Sequence, residues 1–487
     1  MGIDKFALFV ELHHPSALLK PTKEPRSTHN AYVRAARAGE AVVVDAMTHL
    51  HIVSGRMSFK NRAVEQAQGA QRTSDFEQKN FVTGEELVTS FFTQIISYFM
   101  RFQGAGVPLL VLVFDKAQFV NPAKAPLQAS RDRGIVGYPP TARLEAGGIR
   151  VAHDEPLQSV DVQRLLHSRG LRHTLRRYLL NALTDDKLAA PLAWPDNTRL
   201  IVDCDDGVFA WRCHPSSGRL IRCDTFGVVA TEENKDWLLD LSACRNTLGE
   251  ADLAAVFWTA MIMRQLRPLF KPSGVRVISV DTDHAMLQTY HFWKHLHPDT
   301  ARKDSPVEPY RLVWDNDKNI QLFLSAFVNS LTTLGYARDT LVCVGILSQC
   351  DYFKKNLATC EVGHKDIYLG IKNYMAHRQK AGEQGSLGQL KAFRDMLLFV
   401  YAQKLKCRPT PASIKCAKLP VRMKPLLSDA DLMVPYVQFK LTYAYFTHFK
   451  CWRVPPPSQN EPTALKGLLD AELEVARLQN AVQIGRV

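Results

Sequence analysis

Although ten cysteines are scattered along the 487 residues, no two form a C-x-x-C pair. That absence excludes a zinc ribbon and a dithiol redox motif, and leaves most of the cysteines to be reduced, buried thiols. Long hydrophobic runs are missing as well. The longest uninterrupted apolar stretch, 107–114, includes a proline and falls far short of the ~20 residues that a membrane-spanning helix needs. The opening MGIDKFALFVELHHP lacks the apolar core of a signal peptide. An intracellular chain, nuclear or cytoplasmic, with no membrane association and no secretion, is therefore expected. Internal repeats and low-complexity tracts are absent too.

What is present reads as globular: 46% hydrophobic residues against 22% charged. The length implies one large domain with insertions, or two units. A formal net charge of +13 favours a polyanionic partner captured by long-range attraction, with nucleic acid as the leading candidate.

Several apolar runs stop at an acidic residue. AVVVD ends at Asp45, LLVLVFD at Asp115, LIVD at Asp203 and RVISVDTD at Asp281 and Asp283. Between them lie helical patterns, such as Leu87, Phe91 and Ile95, and later Leu253, Val256, Phe257, Ala260 and Met261. Near-continuous apolar strands alternating with helices predict an α/β fold whose mostly parallel central sheet is flanked by helices. In such sheets ligands bind outside the carboxyl ends of the strands, where these aspartates fall. From 116 to 235 the pattern loosens into a long insertion after the second acidic strand. It holds an Arg-rich amphipathic helix near 162–180 and a hairpin of TRLIVD and GVFAWRC around the turn Asp205, Asp206, Gly207, with a further turn before RLIRC. The expected core thus covers 1–360 in two halves, 1–115 and 236–360. A mainly helical basic extension, 361–487, follows; within it Lys404 to Lys424 carries seven basic residues and no acid.

On a strand, residues two apart share a face, which would let Asp281 and Asp283 converge on one point. Glu250 and Asp252 open a helix in LGEADLAAVFWTAM, where the helix dipole alone would account for them. Joined to Asp45, Asp115 and Asp351, the last of which ends the strand-like LVCVGILSQC, they make seven carboxylates. Two carboxylates ~6 Å apart repel by roughly 2–3 kcal/mol at an effective dielectric of about 20, so such a cluster calls for cations. With no His/Cys ligand set in view, two Mg²⁺ ions, replaceable by Mn²⁺, fit better than zinc. Two ions about 4 Å apart can activate water and stabilise the leaving oxygen of a phosphodiester. The rival DCDD at 203–206 is explained without chemistry by its Asp-Gly turn.

The order of these blocks, MGIDKF, AVVVDAMTHLH, FFTQIISYFMRF, VPLLVLVFD, GEADLAAVF, SVDTDHAML and GILSQCDY, resembles the 5′-nuclease superfamily with its PIN-like core. That superfamily includes flap endonucleases, XPG-type repair nucleases and 5′-to-3′ exoribonucleases. The resemblance covers 1–119 and 248–353 and implies a hydrolase, acting on DNA or RNA at or near an accessible 5′ end, in which all seven acids hold metal. It further implies that His51 stacks on a terminal base, that Lys124, Gln128 and Arg131, with Arg133 beside them, hold a 5′-phosphate, and that Gly2 lies near the scissile bond. The sequence departs from the family at Asp351, whose immediate neighbours Cys350 and Tyr352 are not the small glycine or serine usual there, and in having no GIGP-like element for gripping duplex DNA. The MG-x-x-KF start, His51 and the Lys124/Gln128 spacing lean toward exoribonucleases. The alternatives are a host-shutoff type of endoribonuclease and a nucleic-acid-binding relative without activity.

Overall fold

In a computed structural model of the chain, the described residues are 10, 18–19, 40–51, 53, 84–99, 109–116, 169–196, 198–204, 207–214, 217–223, 250–266, 272–279, 281–296, 311–315, 321–333, 336–348, 350, 353, 359, 362–383, 385–416 and 429–447. The strands are β1 (Leu18–Leu19), β2 (Glu40–Asp45), β3 (Leu109–Val113), β4 (Arg199–Cys204), β5 (Gly207–Cys213), β6 (Leu220–Cys223), β7 (Gly274–Ile278), β8 (Arg311–Asp315) and β9 (Gln321–Phe323). They form one mixed sheet in the order β1-β9-β8-β7-β2-β3-β4-β5-β6. Its centre, β8-β7-β2-β3-β4, is parallel throughout, and antiparallel strands close both edges.

Helices cover both faces of this sheet: α1 (Gly84–Phe99), α2 (Arg169–Ala182), α3 (Asp186–Ala189), α4 (Ala251–Met261), α5 (Thr282–His291), α6 (Leu324–Thr333), α7 (Arg338–Leu347), α8 (His364–Lys380), α9 (Leu390–Leu405), α10 (Pro411–Cys416) and α11 (Asp429–Thr447). Strand alternation divides the core in two. Val43, Val111, Ile201, Val275 and Val277 face the layer that holds α4 to α11, whereas Val42, Val44, Leu110, Leu112 and Val202 face α1, α2 and α3. Strands buried on both faces need side chains that are apolar or paired, which is why these segments read as near-continuous runs, with the buried Glu40 of β2 and Arg276 of β7 bridged to each other at 2.8 Å.

The structure therefore shows the expected α/β class, and two local expectations are corrected. The run LVCVGIL is helical, inside α7, not a strand; a short apolar run suits a buried helix as well as a buried strand. Asp281 and Asp283 do not lie on a strand, because β7 ends at Ile278 and the chain turns into α5. The hairpin within 116–235 forms as read, but β4 pairs with β3 in parallel, so these strands continue the central sheet. Helices α8 and α9 of the C-terminal third share the core of the α4 layer. None of the described helices is long and apolar enough to cross a membrane.

Helices α8 and α9 pack closely at Gly370. A Cβ there would lie 2.5 Å from the Val400 Cα and 2.8 Å from its N. Alanine ordinarily gains ~1 kcal/mol over glycine inside a helix. Here the neighbour is backbone, which cannot swing aside, so Gly370→Ala is expected to cost about 1–3 kcal/mol in a urea denaturation. A stabilised variant would contradict this packing.

Candidate metal centre

Strands β7, β2 and β3 are parallel neighbours, so their carboxyl ends share one edge of the sheet. Asp45 is the last residue of β2, and its Oδ1 accepts hydrogen bonds from the backbone N–H groups of Met47 (3.0 Å) and Thr48 (3.1 Å). The Thr48 hydroxyl donates to its Oδ2 at 2.5 Å. The carboxylate thus caps the helical residues 46–51 and is fixed in orientation.

Two helix N-termini arrive at the same edge. Asp115, just past β3, accepts the Ala251 N–H at 2.9 Å and so ties the start of α4 to the strand end. Glu250 is the N-cap residue of α4, and Asp252, buried, lies in its first turn. Asp281 caps α5 by accepting the Asp283 N–H at 2.9 Å, while its own N–H donates to the Ser279 hydroxyl at 3.2 Å. Asp283 is buried in the first turn. The positive ends of both helices favour carboxylates at this edge.

Within it, Asp45, Asp252 and His284 each offer a ligand atom, and all three atoms lie within 4.8 Å of one another. This buried group could hold a metal ion. The His284 Nδ1 is 3.5 Å from the Asp252 Oδ1, and Gln288, one helical turn on, places its Nε2 3.1 Å from the His284 Nε2. Burial pushes the His284 pKa down to about 3, so the ring is neutral and one nitrogen keeps a lone pair. Asp45 moves the other way, up to about 6: burial is the largest cause, the Asp115 charge comes next and the Asp281 charge adds to it, against hydrogen bonds from Thr48 that lower it. Four acids are therefore gathered here, Asp45 and Asp252 within the group that could hold an ion and Asp115 and Asp281 through their charges on Asp45. A carboxylate strained toward protonation, beside a neutral imidazole, fits a divalent cation.

The remaining expected residues fall as follows. Glu250 lies at the N-cap of α4 and Asp283 in the first turn of α5. His51 is helical and exposed. Gly2, Lys124, Gln128, Arg131, Arg133 and Asp351 lie outside the described residues. The group that could hold an ion includes His284, which the expected all-oxygen ligand set does not contain. This residue escaped notice because no spacing rule links it to Asp45; its one signal is the position immediately after Asp283 at the start of a helix.

Asp203, in the rival DCDD segment, has a structural partner set. Its Oδ2 accepts from the Trp258 indole at 2.8 Å, and the buried Lys116 ammonium lies 2.8 Å from its Oδ1. Lys116 follows Asp115 directly, so this pair anchors the end of β3 beside the Asp45, Asp252 and His284 group. The chain matches no protein-family model, and no curated protein matches it.

Proposed function

We propose that the chain is a metal-dependent nuclease that hydrolyses phosphodiester bonds of DNA or RNA at or near a 5′ end. The observation that carries this reading is the buried Asp45, Asp252 and His284 group at the carboxyl ends of parallel strands, with Asp115 and Asp281 acting on the same carboxylate. Asp45, Asp252 and His284 would hold one ion. A second would draw on Asp115, Asp281, Asp283, Glu250 and Asp351. The reading takes the ions to be magnesium, with manganese able to replace it; bound ions would supply an activated water and stabilisation of the leaving oxygen. The chain's own part is to hold the acids at fixed positions, which the Thr48, Ala251 and Asp283 hydrogen bonds do. The +13 net charge suits a nucleic-acid substrate. Lys124, Gln128, Arg131 and Arg133 would take the 5′-phosphate, His51 the terminal base, and Gly2 the space beside the scissile bond.

A substrate panel tests this. Purified protein with Mg²⁺ or Mn²⁺ is incubated with labelled single-stranded RNA, flapped DNA and nicked duplex, beside an Asp281→Asn, Asp283→Asn double variant. Wild type is expected to cleave at least one substrate and the variant none. Degradation of RNA with a 5′-monophosphate but not a 5′-hydroxyl identifies the exoribonuclease form, and flap incision the DNA form. Cleavage by the variant at the wild-type rate, or no cleavage by either protein, would overturn the proposal.

A further inference from the structure

We infer that His284 coordinates the ion held by Asp45 and Asp252, making this a mixed nitrogen and oxygen site that selects a first-row transition ion, with Mn²⁺ as its probe, over Mg²⁺. The inference rests on the metal-centre reading above and revises it at this one position, where a transition ion takes the place of magnesium. Magnesium prefers an all-oxygen shell and keeps several waters, whereas imidazole is a ligand of transition ions. The ring is fully buried at the start of α5, and its Nδ1 faces Asp252 at 3.5 Å, longer than a made hydrogen bond. Among the described residues, the His284 Nδ1 and the Gln288 Oε1 have no hydrogen-bond partner.

One movement accounts for both atoms. With the Gln288 amide as it stands, its NH₂ donates to the His284 Nε2, and the ring proton sits on Nδ1, toward Asp252. A half-turn of the amide exchanges Oε1 with Nε2 and brings Oε1 within hydrogen-bond reach of the ring Nε2. The ring proton then sits on Nε2 and donates to Gln288, and the Nδ1 lone pair faces the two aspartates. That is the usual arrangement of a metal-bound histidine, whose second nitrogen donates to an outer acceptor that fixes ring and tautomer. Gln288, buried one helical turn away, is the positioning residue in this scheme.

The test uses the full chain stripped of metal and titrated with Mn²⁺, then Mg²⁺ in competition, followed by electron paramagnetic resonance. Pulsed measurements read nitrogen hyperfine coupling at the bound Mn²⁺. Wild type is expected to bind Mn²⁺ with imidazole nitrogen coupling. His284→Ala, with its fold checked by circular dichroism, should lose that coupling and about 10–100-fold in Mn²⁺ affinity, with a much smaller change for Mg²⁺. Gln288→Glu, which keeps the acceptor and removes the donor, should retain both coupling and affinity. Should His284→Ala not fold, Gln288→Glu and the wild-type coupling decide. Mn²⁺ bound without nitrogen coupling, coupling that persists in His284→Ala, or its loss in a folded Gln288→Glu overturns the inference, while cleavage in the substrate panel leaves the nuclease reading standing. Absence of any metal binding overturns both.

Discussion

Replacing Asp45 by asparagine is expected to lower the proposed metal-dependent cleavage by on the order of 10³-fold, equivalent to ~4 kcal/mol of transition-state stabilisation, and at the same time to stabilise the metal-free protein at neutral pH. Both effects have one cause. The Asp45 carboxyl is buried beside Asp115 and Asp281, and its pKa rises from 3.8 to about 6. A folded-state pKa above the unfolded value means that the group's contribution is most favourable below pH 3.8 and is lost as pH rises through about 6. Above that pH the ionised carboxylate destabilises the metal-free fold by roughly 3 kcal/mol. Asparagine carries no charge at any pH, and its carbonyl can still accept from Met47 and Thr48. Metal-free Asp45→Asn should therefore melt higher than metal-free wild type at pH 7.5, and the two should converge near pH 4. Added Mn²⁺ should raise the melting temperature of wild type and leave the variant unmoved, because an ion stabilises only the fold that binds it. A variant that melts lower than wild type at pH 7.5 would show that Asp45 is held by its caps alone and carries no unrelieved charge.

Lys116→Met should be among the most destabilising single substitutions in the central sheet, by ~3–5 kcal/mol. The variant leaves the Asp203 carboxylate buried with its ammonium partner removed and the Trp258 indole as its remaining hydrogen bond among the contacts described above. Removing both charges is a different matter. Lys116→Met combined with Asp203→Leu should recover much of the loss, since a buried ion pair contributes little beyond an apolar pair of similar volume. Because Lys116 follows Asp115 at the end of β3, the single variant should also lose activity at temperatures where it remains folded. Urea denaturation of both singles and the double reads the coupling directly, and independent, additive losses would contradict it.

The central strands were legible because both faces of the sheet are covered, so β2, β3, β4 and β7 are apolar at nearly every position and stop where the chain reaches the acidic edge. Helices α1 and α4 were legible from their spacing. The SVDTD segment was read with the wrong period. Aspartate is a preferred N-cap, and Asp281 captures the Asp283 N–H, so a helix begins where a strand had been extended. The acids still reach the same edge, because a helix N-terminus and a strand carboxyl end meet there. LVCVGIL carried no period that separates a buried strand from a buried helix. Asp203, a strand-end aspartate like Asp45, differs only in its partners, Lys116 and Trp258, which belong to other elements. His284 is the reverse case, a ligand type no motif required, brought to Asp45 and Asp252 by the packing of α5 against α4.

The central claim is that the acidic edge is a metal centre, and anomalous scattering from crystals of the full chain soaked in Mn²⁺ tests it most directly. The account predicts a peak enclosed by Asp45, Asp252 and His284 at the carboxyl end of β2, at direct ligand distances of about 2.0–2.4 Å. Mn²⁺ located only elsewhere on the protein, with these three side chains unchanged, would contradict it.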